Sequence, residues 1–92
     1  GAACILEGEK IIGIITEGDI RRALKNSEKF FEFTARDIMT TKFTSIKIDS
    51  MAIDAMEIME NRNSKIYQLP VVDDNNKLLG LIRLHDLVSV GA

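Results

Sequence analysis

Apolar residues fall along this chain in short runs separated by turn-forming ones. Ala2-Ala3-Cys4-Ile5-Leu6 and Ile11-Ile12-Gly13-Ile14-Ile15 flank the turn Glu7-Gly8-Glu9, while Val71-Val72 and Leu78-Leu79-Gly80-Leu81-Ile82 flank Asp73-Asp74-Asn75-Asn76. Runs this short, punctuated by Gly, Asp and Asn, predict antiparallel hairpins. The second strand of each hairpin carries a central glycine and leads into a predicted helix that opens at an aspartate, Asp19 or Asp86.

The two hairpins are copies of one another. Sliding the chain by 67 positions lays Cys4-Ile5 on Val71-Val72, Lys10 to Ile15 on Lys77 to Ile82, and Asp19-Ile20 on Asp86-Leu87, with no gap. Such a repeat sets the architecture before any single motif does. Between the copies, Thr34-Ala35-Arg36-Asp37 spaces a hydroxyl and a carboxylate as at a capped helix start and predicts a short helical turn through Met39. Thr44 to Ile48 alternates polar and apolar residues as a strand does. Asp49 and Ser50 are caps for a helix predicted to run to about Arg62, with Ala52, Ala55, Met56 and Met59 as its apolar stripe. Lys65 to Val72 returns as a strand in which Pro70, lacking an amide donor, predicts an edge or a bulge. The fold class expected is α+β, with one complete β-α-β-β-α repeat preceded by the β-β-α half of another. Residues 1–26 hold the half repeat, 27–36 a linker and 37–92 the complete repeat.

Composition narrows what such a fold can do. At 92 residues, 46% hydrophobic and 28% charged, the chain has the balance of an ordered domain with one core. Its 12 basic residues are scattered among 14 acidic ones for a net charge of −2, and it has no Trp, one Tyr and four Phe, which argues against nucleic-acid binding. No apolar stretch approaches the roughly 20 residues of a membrane span, and the first residues lack a signal-peptide layout, so the expectation is a cytoplasmic protein. Cys4 reads as a buried strand thiol. Three aromatics, Phe30, Phe31 and Phe33, crowd one segment too small to hide them all, which suggests that they cover the linker side or a dimer partner.

Chemistry concentrates at the strand-to-helix junctions. Thr16 and Asp19 place a hydroxyl, a carboxylate and free backbone amides at one helix start, where anions are attracted and a carboxylate suits ribose hydroxyls. Asp19 is equally read as a helix cap. Arg21 and Arg22 set two cations in the first turn, against the helix dipole, an arrangement that an anion nearby would offset. The alternative for them is solvation, or pairing with Glu17 or Glu28. In the second copy Arg83 replaces Thr16 and His85 replaces Gly18, so the two junctions are not equivalent. Arg83 and His85 suit a phosphate or carboxylate. Gly13 and Gly80, mid-strand, indicate a close approach by a ligand or by a facing element. The methionines Met39, Met51, Met56 and Met59 read as core filler. One histidine, no Ser-His-Asp or Cys-His arrangement and no cluster of metal ligands leave no machinery for independent catalysis.

Ile66-Tyr67-Gln68-Leu69-Pro70-Val71-Val72-Asp73, then Gly80-Leu81-Ile82 and Asp86-Leu87, resembles the signature of a CBS domain, and Asp37-Ile38-Met39-Thr40 resembles its opening. The likeness covers nearly the whole chain. Thr16-Glu17-Gly18-Asp19-Ile20-Arg21-Arg22-Ala23-Leu24, and Leu84-His85-Asp86-Leu87 with Gly91, are similar to the C-terminal region of arabinose-5-phosphate isomerases of the KpsF/GutQ type. Sugar-nucleotide transferases carry a comparable Gly-Asp-Ile-Arg-Arg segment. The resemblance implies a regulatory module, attached in the parent enzyme to a sugar-isomerase domain that supplies precursor for Kdo in lipopolysaccharide or capsule. It also implies a nucleotide or nucleotide-sugar ligand, such as CMP-Kdo, AMP or ATP, in the cleft between repeats, with no cofactor required and homodimers formed by face-to-face packing. A purely structural dimerisation module is the other reading. In CBS domains a Thr or Ser followed three residues later by Asp commonly contacts phosphate and ribose, which carries over to Thr16 and Asp19. The candidate ligand-binding residues are thus Thr16, Asp19, Arg21, Pro70, Arg83, His85 and Asp86.

Overall fold

The computed structural model describes residues 1–26, 28–60 and 66–83, and divides the chain into two compact units, Gly1–Phe43 and Thr44–Ala92. Two cores therefore replace the single core expected from length. The reason is the repeat itself, since each hairpin collects its own helix and buried residues.

In the first unit β1 (Ala2–Glu7) and β2 (Lys10–Thr16) pair antiparallel around the two-residue turn Gly8-Glu9, with Gly8 at φ 64°. That positive φ is where glycine carries no Cβ penalty. The register runs from Ala2 opposite Thr16 to Ile5 opposite Gly13, then slips so that Leu6 faces Ile11 and Ile12 is the extra residue of a bulge. Helix α1 (Glu17–Asn26) follows β2 directly, a 3-10 turn spans Phe30–Glu32, and α2 (Ala35–Ile38) is a single turn. The predicted box holds α2: Asp37 N–H donates to Thr34 Oγ1 at 3.3 Å and Thr34 N–H to Asp37 Oδ2 at 2.8 Å. Beyond α2 the chain returns to the sheet, where Thr40 and Ile14 exchange backbone hydrogen bonds of 3.0 and 2.8 Å. The Asp37 to Thr40 segment, placed by sequence at the opening of the second repeat, thus belongs by contact to the first unit. Ile11, Ile14 and Ile15 are the buried side chains of β2.

In the second unit β3 (Ile46–Lys47) runs parallel to β4 (Gln68–Val72), which pairs antiparallel with β5 (Leu78–Arg83), and α3 (Ala52–Glu60) supplies the helix. Ile46, Ala55, Met59, Leu69 and Val71 form its core, with Ile58, Ile66 and Ile82 packed against it. The β4–β5 ladder repeats the β1–β2 ladder: Gln68 opposite Arg83, Leu69 opposite Ile82, Pro70 opposite Leu81, Val71 opposite Gly80, then a slip to Val72 opposite Leu78. Leu79 is its bulge, as Ile12 is in the first. The match corrects the gapless alignment, because Ile5 corresponds to Val71, 66 positions on, while Gly13 corresponds to Gly80, 67 positions on. The second turn is one residue longer. Asp73 N–H donates to Lys77 O and Asn76 N–H to Asp73 O, both at 3.1 Å, and Asn76 takes φ 64°, the three-residue loop that ends in a left-handed residue.

Several local expectations change for identifiable reasons. Pro70 is fully buried in the central strand, not at an edge; β3 reaches only Val71 and Val72, so its missing donor lies beyond the β3 ladder. Helix α3 starts at Ala52 with Met51 O as its first acceptor, because Asp49 and Ser50 are taken up in the turn closed by Ser50 N–H on Lys47 O at 3.0 Å. Strand β3 is shorter than Thr44 to Ile48, and the end of α3 toward Arg62 lies outside the described residues. Met59 is fully buried but Met51 is 67% exposed, so the methionines do not share one role. Cys4 is half-buried, which raises its thiol pKa. Among the described residues no helix is long and apolar enough to cross a membrane.

Gly13 answers the question its position raised: a Cβ there would lie 2.8 Å from Met39 Cγ and 3.1 Å from Met39 Cβ. The facing element is the chain after α2. Gly13→Ala should lower stability in urea unfolding by about 1–3 kcal/mol, and by clearly less in a Met39→Ala background, where the clash is relieved. Equal penalties in both backgrounds would rule this contact out. Met59→Ala should cost about 2–5 kcal/mol in the same assay, against under about 0.5 for Met51→Ala.

Candidate functional site

The first junction is built around one carboxylate. Strand β2 ends at Thr16, whose hydroxyl accepts from Asp19 N–H at 3.4 Å while its own N–H donates to Asp19 Oδ2 at 2.8 Å. This is a reciprocal capping box with Thr16 as the cap and Asp19 at the third helical position, so the helix opens at the threonine and not at the aspartate. The box satisfies one of the orphan amides that any helix start leaves. Thr34 and Asp37 use the same device at the surface.

Asp19 goes further than a box requires. Its Oδ2 also accepts from Thr16 Oγ1 at 3.1 Å, and its Oδ1 accepts from Arg22 Nη2 at 2.6 Å and from Thr40 Oγ1 at 2.9 Å. Both oxygens are thus doubly satisfied in a residue only 8% exposed. Burial pushes the carboxyl pKa up, but the bonds from the Thr16 backbone, Thr40, Arg22 and the Thr16 hydroxyl outweigh it and leave the group below its ordinary 3.8. Asp19 is therefore an ionised, buried acceptor. The Arg22 side chain is 67% exposed, and an ion pair so open to solvent is worth only about 0–1 kcal/mol.

This geometry redistributes the sequence candidates. Thr16 and Asp19 are brought together. Arg21 is exposed and has no ion-pair partner among the described residues; Arg22 reaches the site instead, pairing with Asp19 rather than with Glu17, Glu28 or water alone. The i,i+3 spacing of Asp19 and Arg22 was the readable signal for it. Thr40 joins across 21 positions, which no local pattern announces. In the second unit Arg83 is exposed at the end of β5, the register equivalent of Thr16, and Pro70 faces Leu81 and not Arg83. Arg83 faces Gln68, whose Oε1 is buried without a hydrogen-bond partner. His85 and Asp86 lie outside the described residues. Among those described, no three His, Cys, Asp or Glu side chains gather to hold a metal.

Because the folded Asp19 carboxyl titrates below its unfolded value of 3.8, the unfolded chain takes up that proton first as pH falls. Its contribution is present above that value and is lost as pH drops through the folded pKa. Asp19→Asn should destabilise the chain at pH 7 by about 1–3 kcal/mol, since an amide cannot accept from all four donors. The gap between the two proteins in urea midpoint should narrow steadily below pH 3.8. A gap constant down to pH 2.5 would mean that the charge is not what these donors hold.

Comparison with known proteins places this chain in a family. The CBS domain profile matches residues 35–92, more than half of the chain. Arabinose 5-phosphate isomerase KdsD of Pseudomonas aeruginosa is 35% identical over 85 residues, covering 92% of this chain and 26% of that protein. Arabinose 5-phosphate isomerase GutQ of Shigella flexneri is 39% identical over 83 residues, covering 90% of this chain and 25% of that protein. The chain therefore spans about a quarter of the length of the curated relatives it matches. Among solved structures, the CBS domain pair of protein MJ0100 in complex with 5′-methylthioadenosine and S-adenosyl-L-methionine is 27% identical with a TM-score of 0.79, over 98% of this chain and 68% of that one. The CBS-domain containing protein ATU1752 of Agrobacterium tumefaciens, 24% identical with a TM-score of 0.80 over 100% of this chain and 72% of that one, shares the fold. Repeat, ladder and profile agree: the chain belongs to the CBS domain family.

Proposed function

We propose that this chain is a regulatory ligand-sensing module that binds a nucleotide or nucleotide-sugar and biases a sugar-phosphate isomerase domain of the arabinose-5-phosphate type in its parent protein. The observation that carries the reading is the ionised Asp19 carboxylate, held with two hydroxyls, Thr16 and Thr40, at a strand-to-helix junction. A carboxylate and hydroxyls are the groups that pair with ribose hydroxyls and phosphate oxygens once a ligand replaces one of the partners Asp19 has in the free chain. Thr16 and Asp19 are the contacts in the first repeat; Arg83, His85 and Asp86 are those in the second, with different ligand chemistry because Arg83 is a cation where Thr16 is a hydroxyl. Pro70 stiffens β4, the strand paired with the β5 that carries Arg83. CMP-Kdo, as end product of the Kdo route to lipopolysaccharide or capsule, is the feedback ligand this reading favours, with AMP and ATP as the adenine alternatives. The 5′-methylthioadenosine and S-adenosyl-L-methionine of MJ0100 support a ligand built on a ribonucleoside. Regulation requires that the ligand bind two conformations with different affinity. The module itself performs no catalysis, and the reading places the parent protein in the cytoplasm, where sugar nucleotides are made.

A second reading, a module that only holds subunits together, is favoured by the aromatic segment. Phe31 is 95% exposed, with its ring edge-on to Phe30 at 5.6 Å. Titration calorimetry with CMP-Kdo, AMP and ATP separates the two. Saturable heat from at least one ligand, lost in Asp19→Ala or Asp86→Ala, is the expected result. No heat from any of them, with an intact dimer by light scattering, would favour the purely structural module, and unchanged affinity in both variants would sink the assignment of these residues.

A further inference from the structure

The two hairpins share a ladder but not an edge. In the first unit the outer side of β2 is covered by the chain itself. Ile14 N–H donates to Thr40 O at 3.0 Å, Thr40 N–H donates to Ile14 O at 2.8 Å, and Met39 lies against Gly13, where an added Cβ would come within 2.8 Å of Met39 Cγ. A 3.1 Å ion pair from Arg36 Nη2 to Glu7 Oε2 holds the start of the same segment. Arg36 to Thr40 is thus clipped to its hairpin by one charge, one side chain and one pair of backbone bonds.

The second hairpin presents the same receptor uncovered. By register Gly80 is the equivalent of Gly13, and Leu81 of Ile14. Strand β5 is outermost in its sheet, and among the described residues none pairs with it on the side away from β4. A Cβ at Gly80 would meet nothing within 4 Å, and Leu81 is 38% exposed where Ile14 is 8% exposed. The backbone of Leu81 is aimed outward. Ile14 turns both its polar groups away from β1, as a residue of a non-hydrogen-bonded pair does, and Leu81 stands in the same sense opposite Pro70, which has no N–H to exchange with it. Asp73, 66 positions beyond Glu7 by the offset that relates β1 to β4, supplies the matching carboxylate. Leu79 and Leu81 leave this edge apolar, and an apolar edge templates aggregation unless something covers it.

We propose that the Gly80–Leu81 edge of β5 is a docking site for a second segment of the Arg36-to-Thr40 type, supplied by the parent protein outside these 92 residues. Its marks are an unbranched apolar side chain seated against Gly80, a following residue whose N–H and C=O pair with Leu81, and a basic residue ahead of them facing Asp73. Strand addition of this kind draws affinity from main-chain bonds and selectivity from the side-chain seat. The chain spans about a quarter of the length of its curated relatives, so most of such a protein is available to provide the segment. Docking here does not depend on ligand binding at Thr16 and Asp19.

The probe is the synthetic peptide Ala-Arg-Asp-Ile-Met-Thr-Thr-Lys, the sequence of residues 35–42, titrated into the isotope-labelled chain and followed by amide NMR. At Gly13 the tethered copy of this sequence outcompetes a peptide added in trans, so binding is directed to β5. Shifts should saturate with a Kd of about 1 mM or below, centre on Leu79 to Ile82, and come with slowed hydrogen exchange at Leu81. Gly80→Val puts a side chain into the seat at a position with room for one, so circular dichroism should be unchanged while binding weakens at least about tenfold. A peptide with Thr40→Pro lacks the N–H for Leu81 O and should bind as poorly. No shifts up to about 5 mM peptide, shifts centred on Ile14, or undiminished affinity in Gly80→Val would overturn the assignment. So would concentration-dependent shifts at Leu79 to Ile82 without peptide, which would give this edge to a second copy of the chain.

Discussion

The first unit depends on a buried anion. Asp19 lies at the point where β2, α1 and the Thr40 segment converge, and each sends it at least one donor. A carboxylate removed from water is strongly destabilising unless its lone pairs are filled, so the residues around Asp19 have little freedom in where they sit. This matters because the apolar core here is small: Ile11, Ile14 and Ile15 are its buried side chains on a two-stranded ladder, and two strands alone are marginal in water. A filled polar junction closes what that core leaves open.

The second unit solves the same topology with different chemistry. Its ladder reproduces the first strand for strand, including the bulge, yet its buried residues form an apolar cluster that includes Met59, Leu69 and Val71. At the register position of Thr16 stands Arg83, which has donors and no acceptor. It cannot take the amide that Thr16 takes, so a capping box of that kind is closed to the second copy. At this register position the first repeat thus carries a hydroxyl that partners a carboxylate, and the second a guanidinium.

Much of this was legible in the sequence, where period, glycines and junction aspartates fixed the hairpins and the family. The extra residue in the second turn was not, because Cys4-Ile5 and Pro70-Val71-Val72 are all apolar and slide past one another without a visible mismatch. Only the hydrogen-bonded ladder distinguishes an offset of 66 from one of 67. Pro70 was read as an edge residue because the rule concerns a missing donor, and sequence does not tell how far the neighbouring strand extends. The start of α3 shifted for a similar reason: Asp49 and Ser50 suit a turn as well as a cap, and the end of β3 claimed them for the turn. At the site, the contest between helix cap and ligand carboxylate for Asp19 was posed as a choice. The hydrogen bonds show that capping engages Oδ2, while Oδ1 is held only by side chains.

That division of labour between two oxygens has its own logic. Oδ2 is bound to the backbone and hydroxyl of Thr16, so changing its partners would undo the start of α1. Oδ1 is shared by Arg22 and Thr40, one a solvent-screened guanidinium and the other a hydroxyl anchored by its own backbone pairing with Ile14. Losing a partner of Oδ1 would therefore leave the capping bonds of the helix start in place. Thr40 lies where the chain leaves the first unit for the second. A carboxylate placed this way ties the helix start to one oxygen and holds the side chains of α1 and the Thr40 segment with the other.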